Sequence, residues 1–310
     1  MTTPLAKIAA APLFALLLSA CSGGTEGASA AITLPPASDA RAQGAALASA
    51  CEGRDGWGDA APPARIHGST YYVGTCGIAV LLIAGEDGHI LIDAAVDEAV
   101  PSILANITAL GFDPRDIRHI LYTHEHYDHM GGLAAMAQAT GANVWSAPVA
   151  KDVLEAGTVD AGDPQFGLID GAPPVRVTHT FAPGHVIAAG NVAVTAVPTP
   201  GHTAGGTSWT WESCEGGECA TFAYVDSLSA VSRDGYRFTD NPQRVAPFRT
   251  TFATVAQMPC DIMVTPHPSF SNLFDRLAGR EPLMNNAACR DLSALMAARL
   301  DTRLAQEAAQ

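Results

Sequence analysis

Residues 117–123, Ile-Arg-His-Ile-Leu-Tyr-Thr, run directly into His124, Glu125, His126, Tyr127, Asp128 and His129. The first seven read as a buried strand, so three imidazoles and a carboxylate fall in the turn that follows it. A strand that ends and turns lets His124 and His126, two apart, converge on one ion while Asp128 and His129 lean toward a second. Zinc takes imidazole nitrogen and carboxylate oxygen readily. Gly131 and Gly132 then precede a helical pattern over residues 133–140, so strand, turn, glycine pair and helix occur in the order such a site needs. An ordinary solvated turn lacks that context.

Two more histidines sit in turns marked by proline and glycine: His202 in Thr199-Pro200-Gly201-His202-Thr203, and His267 in Thr265-Pro266-His267-Pro268. His124, His126 and His202 make a three-imidazole set with an open fourth position, which lowers the pKa of bound water toward about 7. Asp128, His129 and His267 hold the second ion, so the cofactor expected is two Zn2+ per chain. His67, His89, His119, His179 and His185 lack such settings and read as surface or structural groups.

The N-terminus carries Lys7, an apolar run over 8–18, and then Leu18-Ser19-Ala20-Cys21. That is the pattern of an export signal over 1–20. The run is too short for a comfortable membrane span. Leu-Ser-Ala-Cys resembles a bacterial lipobox, which implies lipidation of Cys21 and a periplasmic protein anchored to the membrane. Residues 21–50, rich in Ala, Gly, Ser and Pro, read as a flexible tether, and 51–310 as one α/β domain.

Setting Cys21 aside leaves six of the seven cysteines: Cys51, Cys76, Cys214, Cys219, Cys260 and Cys289. An even set in an exported chain points to disulfides. Connectivity stays open among about fifteen arrangements, with Cys214 and Cys219 the simplest neighbours to join. Formal net charge is −14, so nucleic-acid binding has no electrostatic footprint. A 48 % hydrophobic content against 15 % charged residues supplies a sizeable core.

Strand-like stretches over 64–73, 77–84 and 89–93 are joined by glycine-rich turns. A helical pattern covers 97–110 before the histidine strand. A second series follows: strands over 192–197, 207–211 and 221–225, a helix over 247–258, a strand over 262–265 and a helix over 289–309. Strands then helix, twice, argue for packed sheets with helices outside.

Residues 122–132, the His202 loop, Val225-Asp226-Ser227-Leu228-Ser229-Ala230 and the segment 259–267 together resemble a metallo-β-lactamase of subclass B3. The likeness runs from Cys51 to about Ala298. It implies an αββα sandwich of two mixed β-sheets flanked by helices, and hydrolysis of β-lactam antibiotics, carbapenems included, by water activated between two zinc ions. It also implies Asp128 as both ligand and orienter of the nucleophile. Ser227 and Ser229 match positions that bind the substrate carboxylate, and Gln165 is a candidate to line the cleft. Disulfides Cys260–Cys289, Cys51–Cys76 and Cys214–Cys219 follow from the same likeness, and a monomer is expected.

Two rival readings stand beside it. Val225-Asp226-Ser227-Leu228 also resembles the segment of glyoxalase-type hydrolases in which a carboxylate bridges both metals, so Asp226 as a bridging ligand points to thioester or lactone substrates. A non-enzymatic zinc-storing lipoprotein uses the same histidines, but an open coordination position is a catalytic arrangement rather than a structural one.

Overall fold

The structure, a computed structural model, describes residues 1–2 and 40–309. The export segment, Cys21 and the tether up to residue 39 lie outside the described residues.

Seven strands form the first sheet in sequence order: β1 (Ala64–His67), β2 (Thr70–Tyr72), β3 (Leu81–Gly85), β4 (Gly88–Ile92), β5 (Ile117–Leu121), β6 (Asn143–Ser146) and β7 (His179–Thr180). The first four pair antiparallel and the last three add in parallel. The second sheet contains β8 (Val186–Ala189), β9 (Val192–Pro198), β10 (Thr207–Glu215), β11 (Glu218–Tyr224) and β12 (Ile262–Val264), ordered β12-β11-β10-β9-β8. Only its β11–β12 pair is parallel.

Alternation along the strands explains the layers. Leu81, Ile83, Ile90 and Ile92 meet Trp209, Trp211, Phe222, Tyr224 and Val264 between the sheets. The intervening Leu82 and Leu91 point the other way, as the period of two requires. They pack with Ile103, Ile107, Leu133 and Met136 from α2 (Val100–Ala109) and α4 (Leu133–Thr140). On the opposite side, Ala223 and Met263 pack with Phe248, Phe252, Leu292 and Met296 from α6 (Pro242–Val255) and α8 (Ala288–Ala308). Both sheets are therefore buried on both faces, and the expected αββα sandwich is the observed one.

Further helices complete the fold: α1 (Ala40–Ala50), α3 (Tyr127–Met130), α5 (Lys151–Ala156) and α7 (Leu273–Leu277). The first corrects the sequence reading, because residues 40–50 are helix rather than tether. Alanine is the strongest helix former, and Leu47 is wholly buried. Gly44 allows contact with α7, since a Cβ there would lie 2.2 Å from the Leu277 carbonyl oxygen. The expected strand over 64–73 is a hairpin, β1–β2. Disulfides join Cys51 to Cys76, Cys214 to Cys219 and Cys260 to Cys289.

Candidate metal centre

β5 runs between β4 and β6 and ends where the histidine motif begins. Asp93, just beyond β4, accepts hydrogen bonds from the Thr123 backbone N–H (2.6 Å), the Thr123 hydroxyl (3.0 Å) and the Tyr224 hydroxyl (2.7 Å). It holds φ 66°, a left-handed conformation that a non-glycine residue keeps only when its surroundings demand it. Thr207 N–H of β10 donates to Thr123 O at 2.7 Å, tying the turn to the other sheet. Glu125 points away from its histidine neighbours and accepts from the Thr203 hydroxyl (2.7 Å) and Gly205 N–H (2.8 Å). The His124–His129 and His202 loops are thereby joined.

Ligand atoms of His124, His126 and His202 lie within 4.8 Å of one another, and so do those of His124, Asp128 and His129. His267 Nε2 stands 3.3 Å from Asp128 Oδ2, and its ring centroid is 5.1 Å from that of His129. The six residues singled out from the sequence are thus brought together, and all but His267 are buried.

Each imidazole of the first set is held by its outward nitrogen. His124 Nδ1 donates to Asp226 Oδ1 at 2.8 Å, His202 Nδ1 to the Ser229 carbonyl at 2.8 Å, and His126 Nε2 to Asp163 Oδ2 at 3.2 Å. Such bonds fix the tautomer and leave the inward lone pair free for a metal. His129 Nε2 and Asp128 Oδ2 are 3.0 Å apart, yet both buried ring nitrogens of His129 lack a partner in hydrogen-bond geometry. Atoms that approach without bonding each other fit a shared cation. The donor set, imidazole with carboxylate and no thiolate, suits zinc.

For the first set of imidazoles the electrostatics agree. Burial, reinforced by the neighbouring imidazoles, holds His124 well below the usual imidazole range, and burial with the charge of His126 lowers His202 to about 3. Both are neutral, as ligands must be. Burial works against charge on Asp128 and His129. Their mutual attraction overrides it, keeping the Asp128 carboxyl well below its ordinary value and raising His129 to about 10. Burial pushes Asp226 well above the carboxylate range.

The cleft over these groups is lined by Ser227, Ser229, Gln165, Trp57, Ile169 and Phe270, among others. Trp57 forms part of the wall, whereas Tyr71 and Tyr72, which follow it in the chain, are core residues. Asp226 lines the cleft, but its Oδ1 faces the outward nitrogen of His124 and it is absent from the convergent sets. That position corrects the bridging-ligand alternative. Gly206 is required beside it, because a Cβ there would stand 2.6 Å from Asp226 Oδ2. The other five histidines lie elsewhere: His89 packs on Phe112, for example, and His119 and His179 on Trp145. Sequence reasoning assigned no orienting role to Asp93, Asp163 or Asp226; among them, only the Asp226 segment carried a local signal.

An αββα sandwich with a histidine-carboxylate cluster at its strand ends defines a metallohydrolase. The model of the metallo-beta-lactamase superfamily matches residues 73–215. The metallo-β-lactamase MIM-1 from Novosphingobium pentaromativorans is 50 % identical, with TM-score 0.84 over 85 % of this chain and 98 % of that one. MEM-A1, a subclass B3 metallo-β-lactamase from a soil metagenome library, is 39 % identical, with TM-score 0.79 over 82 % of this chain and 99 % of that one. The chain belongs to the metallo-β-lactamases of subclass B3. A more distant likeness, 32 % identity over 117 residues and 38 % of each chain, links it to the hydroxyacylglutathione hydrolase of Rhodobacter capsulatus. The chain spans about half the length of the curated relatives it matches first.

Proposed function

We propose that this protein hydrolyses the amide bond of β-lactam antibiotics, carbapenems among them, with two zinc ions. His124, His126 and His202 hold one ion, and Asp128, His129 and His267 the other. The observation that carries the reading is the joining of this donor set to a cleft wall bearing Ser227 and Ser229. Half-identity to MIM-1 over nearly all of that chain supports the substrate class.

When bound, zinc supplies Lewis acidity and a water that is nucleophilic near neutral pH. Asp128 lines the cleft and stays ionised, so it orients the attacking water by accepting a hydrogen bond from it. The hydroxyls of Ser227 and Ser229 donate to the substrate carboxylate. Trp57, Ile169 and Phe270 cover the apolar body of the substrate and exclude bulk water. Gln165 adds an amide 3.4 Å from His126 Nδ1.

Leu18-Ser19-Ala20-Cys21 supports export to the periplasm and anchoring through Cys21. The protein acts there as a monomer.

The test follows loss of lactam absorbance from a carbapenem, with and without a zinc chelator, together with zinc content per chain. Chelator-sensitive turnover with about two zinc ions is expected. Full zinc occupancy without lactam turnover, but with thioester cleavage, would overturn the assignment.

A further inference from the structure

A second cleft, of about 310 Å3, opens beside Asp163, and Arg233, Tyr236 and Arg244 line it. Neither arginine is paired with a carboxylate among the described residues, although acidic residues outnumber basic ones 31 to 17. The nearby Arg237 and Arg249 do have such partners. The Arg233 guanidinium rests over the Tyr236 ring, 5.6 Å from its centroid. Arg244 Nη2 donates to the Gly162 carbonyl, while its Nε is buried with no hydrogen-bond partner. A buried donor without a partner calls for an ion or a water.

Two more features favour negative charge here. The cleft reaches Asn241, the N-cap of the 14-residue α6, whose side chain makes no capping bond and whose first turn holds no acidic residue. No acidic side chain of the first turn therefore meets the positive end of the helix dipole, and the one beside the N-cap, Asp240, is turned to Arg237. Asp163 is the one carboxylate lining the cleft. Its oxygens are engaged by His126 Nε2 and by the Gln165 backbone N–H at 2.7 Å.

We propose that this cleft binds a small tetrahedral oxyanion of the phosphate or sulfate type. Guanidinium forks match two oxygens of such an anion at once. Arg233 follows the serine-bearing loop and its backbone N–H donates to Pro164 O at 3.0 Å, while Arg244 belongs to α6. An anion held by both fastens the serine loop and the segment carrying Asp163 to the same helix. The site therefore steadies the carboxylate that orients His126, without touching the metal centre.

The test titrates sulfate into the full-length, zinc-loaded protein at constant ionic strength, with chloride as the replaced anion and the thermal midpoint as readout. This readout does not depend on lactam turnover, so the proposal and the β-lactamase assignment fail separately. Wild type is expected to show a saturable rise of roughly 3 °C at about ten times the dissociation constant. Arg233→Gln and Arg244→Gln each lose the saturable part and keep their sulfate-free turnover within about twofold. Arg233→Gln suffices if Arg244→Gln fails to fold, because Arg233 is exposed. A saturable rise that survives in the variants would place the anion at the metal centre, and a linear rise shared by all forms would be a general salt effect. Either result overturns the proposal.

Discussion

Asp226 is the sharpest place to probe how the metal centre is organised. The residue is 1 % exposed, its Oδ1 lies 2.8 Å from His124 Nδ1, and its Oδ2 is buried without a partner. Asp226→Asn keeps an oxygen to accept the His124 N–H and removes the ionisable carboxyl behind it. Loss of a carboxylate behind a metal-binding imidazole weakens metal binding by roughly 10- to 100-fold, about 1.4–2.7 kcal/mol. Asp226→Ala also strands the buried N–H, adding about 2 kcal/mol of destabilisation and lowering the melting point of the metal-free protein by roughly 4 °C. Competition for zinc against a chromophoric chelator measures the first effect, and calorimetry of the metal-free variants the second. The refuting result is a fall from two zinc ions to one per chain in Asp226→Asn with the affinity of the remaining ion unchanged. Asp226 would then be a ligand shared between ions, as in a thioester hydrolase.

Ser229→Ala should raise KM for carboxylate-bearing lactams by roughly tenfold, the worth of one hydrogen bond to a charged group, with kcat within about threefold. Its carbonyl still holds His202, so a drop in zinc content instead of a rise in KM would contradict the assignment. The metal-free protein should lose stability as pH falls from about 6.5 toward 3. Over that window the unfolded chain protonates residue 202, whereas in the folded state His202, lowered to about 3, does not, and proton uptake by the unfolded state alone favours unfolding. Melts of metal-free His202→Gln protein across that range should show a shallower dependence, and an unchanged slope would refute the argument. Replacing Cys260 and Cys289 by serine opens a bridge of sequence separation 29, a loss of about 3.6 kcal/mol in the chain-entropy account. Removing Cys214–Cys219, of separation 5, should cost only about 2 kcal/mol. Calorimetry that reverses this order would point to native-state strain rather than loop entropy.

The parts of the site that the sequence reveals are those whose signal is local. His124, His126, Asp128 and His129 share one turn, and His202 and His267 sit in turns that proline and glycine mark. Their orienting partners act across the fold: Asp226 meets His124 across 102 residues, and Asp163 meets His126 across 37. No spacing rule connects such pairs. Asp93 is hidden for another reason, because its left-handed backbone is imposed by Thr123 and Tyr224 rather than by its own propensity. The longer strands and helices were legible because Leu81–Gly85 and Val192–Pro198 alternate or run apolar at the right length. β7, two residues long, and β8, Val-Ile-Ala-Ala, carry too little pattern to stand out. Helix α1 was obscured by composition, since Ala-rich, Gly-containing sequence serves a linker and a docked helix equally well.

The donor atoms come from both sheets: His124–His129 follow β5 of the first, while His202 and His267 follow β9 and β12 of the second. A bound ion is consequently a reversible staple between the halves of the sandwich. Because ions that bind the folded state alone deepen its stability by mass action, survival against proteases should track the free zinc around the protein. Zinc starvation would then shorten the lifetime of the polypeptide as well as halt its chemistry, and restoring the metal would rescue only the molecules not yet degraded.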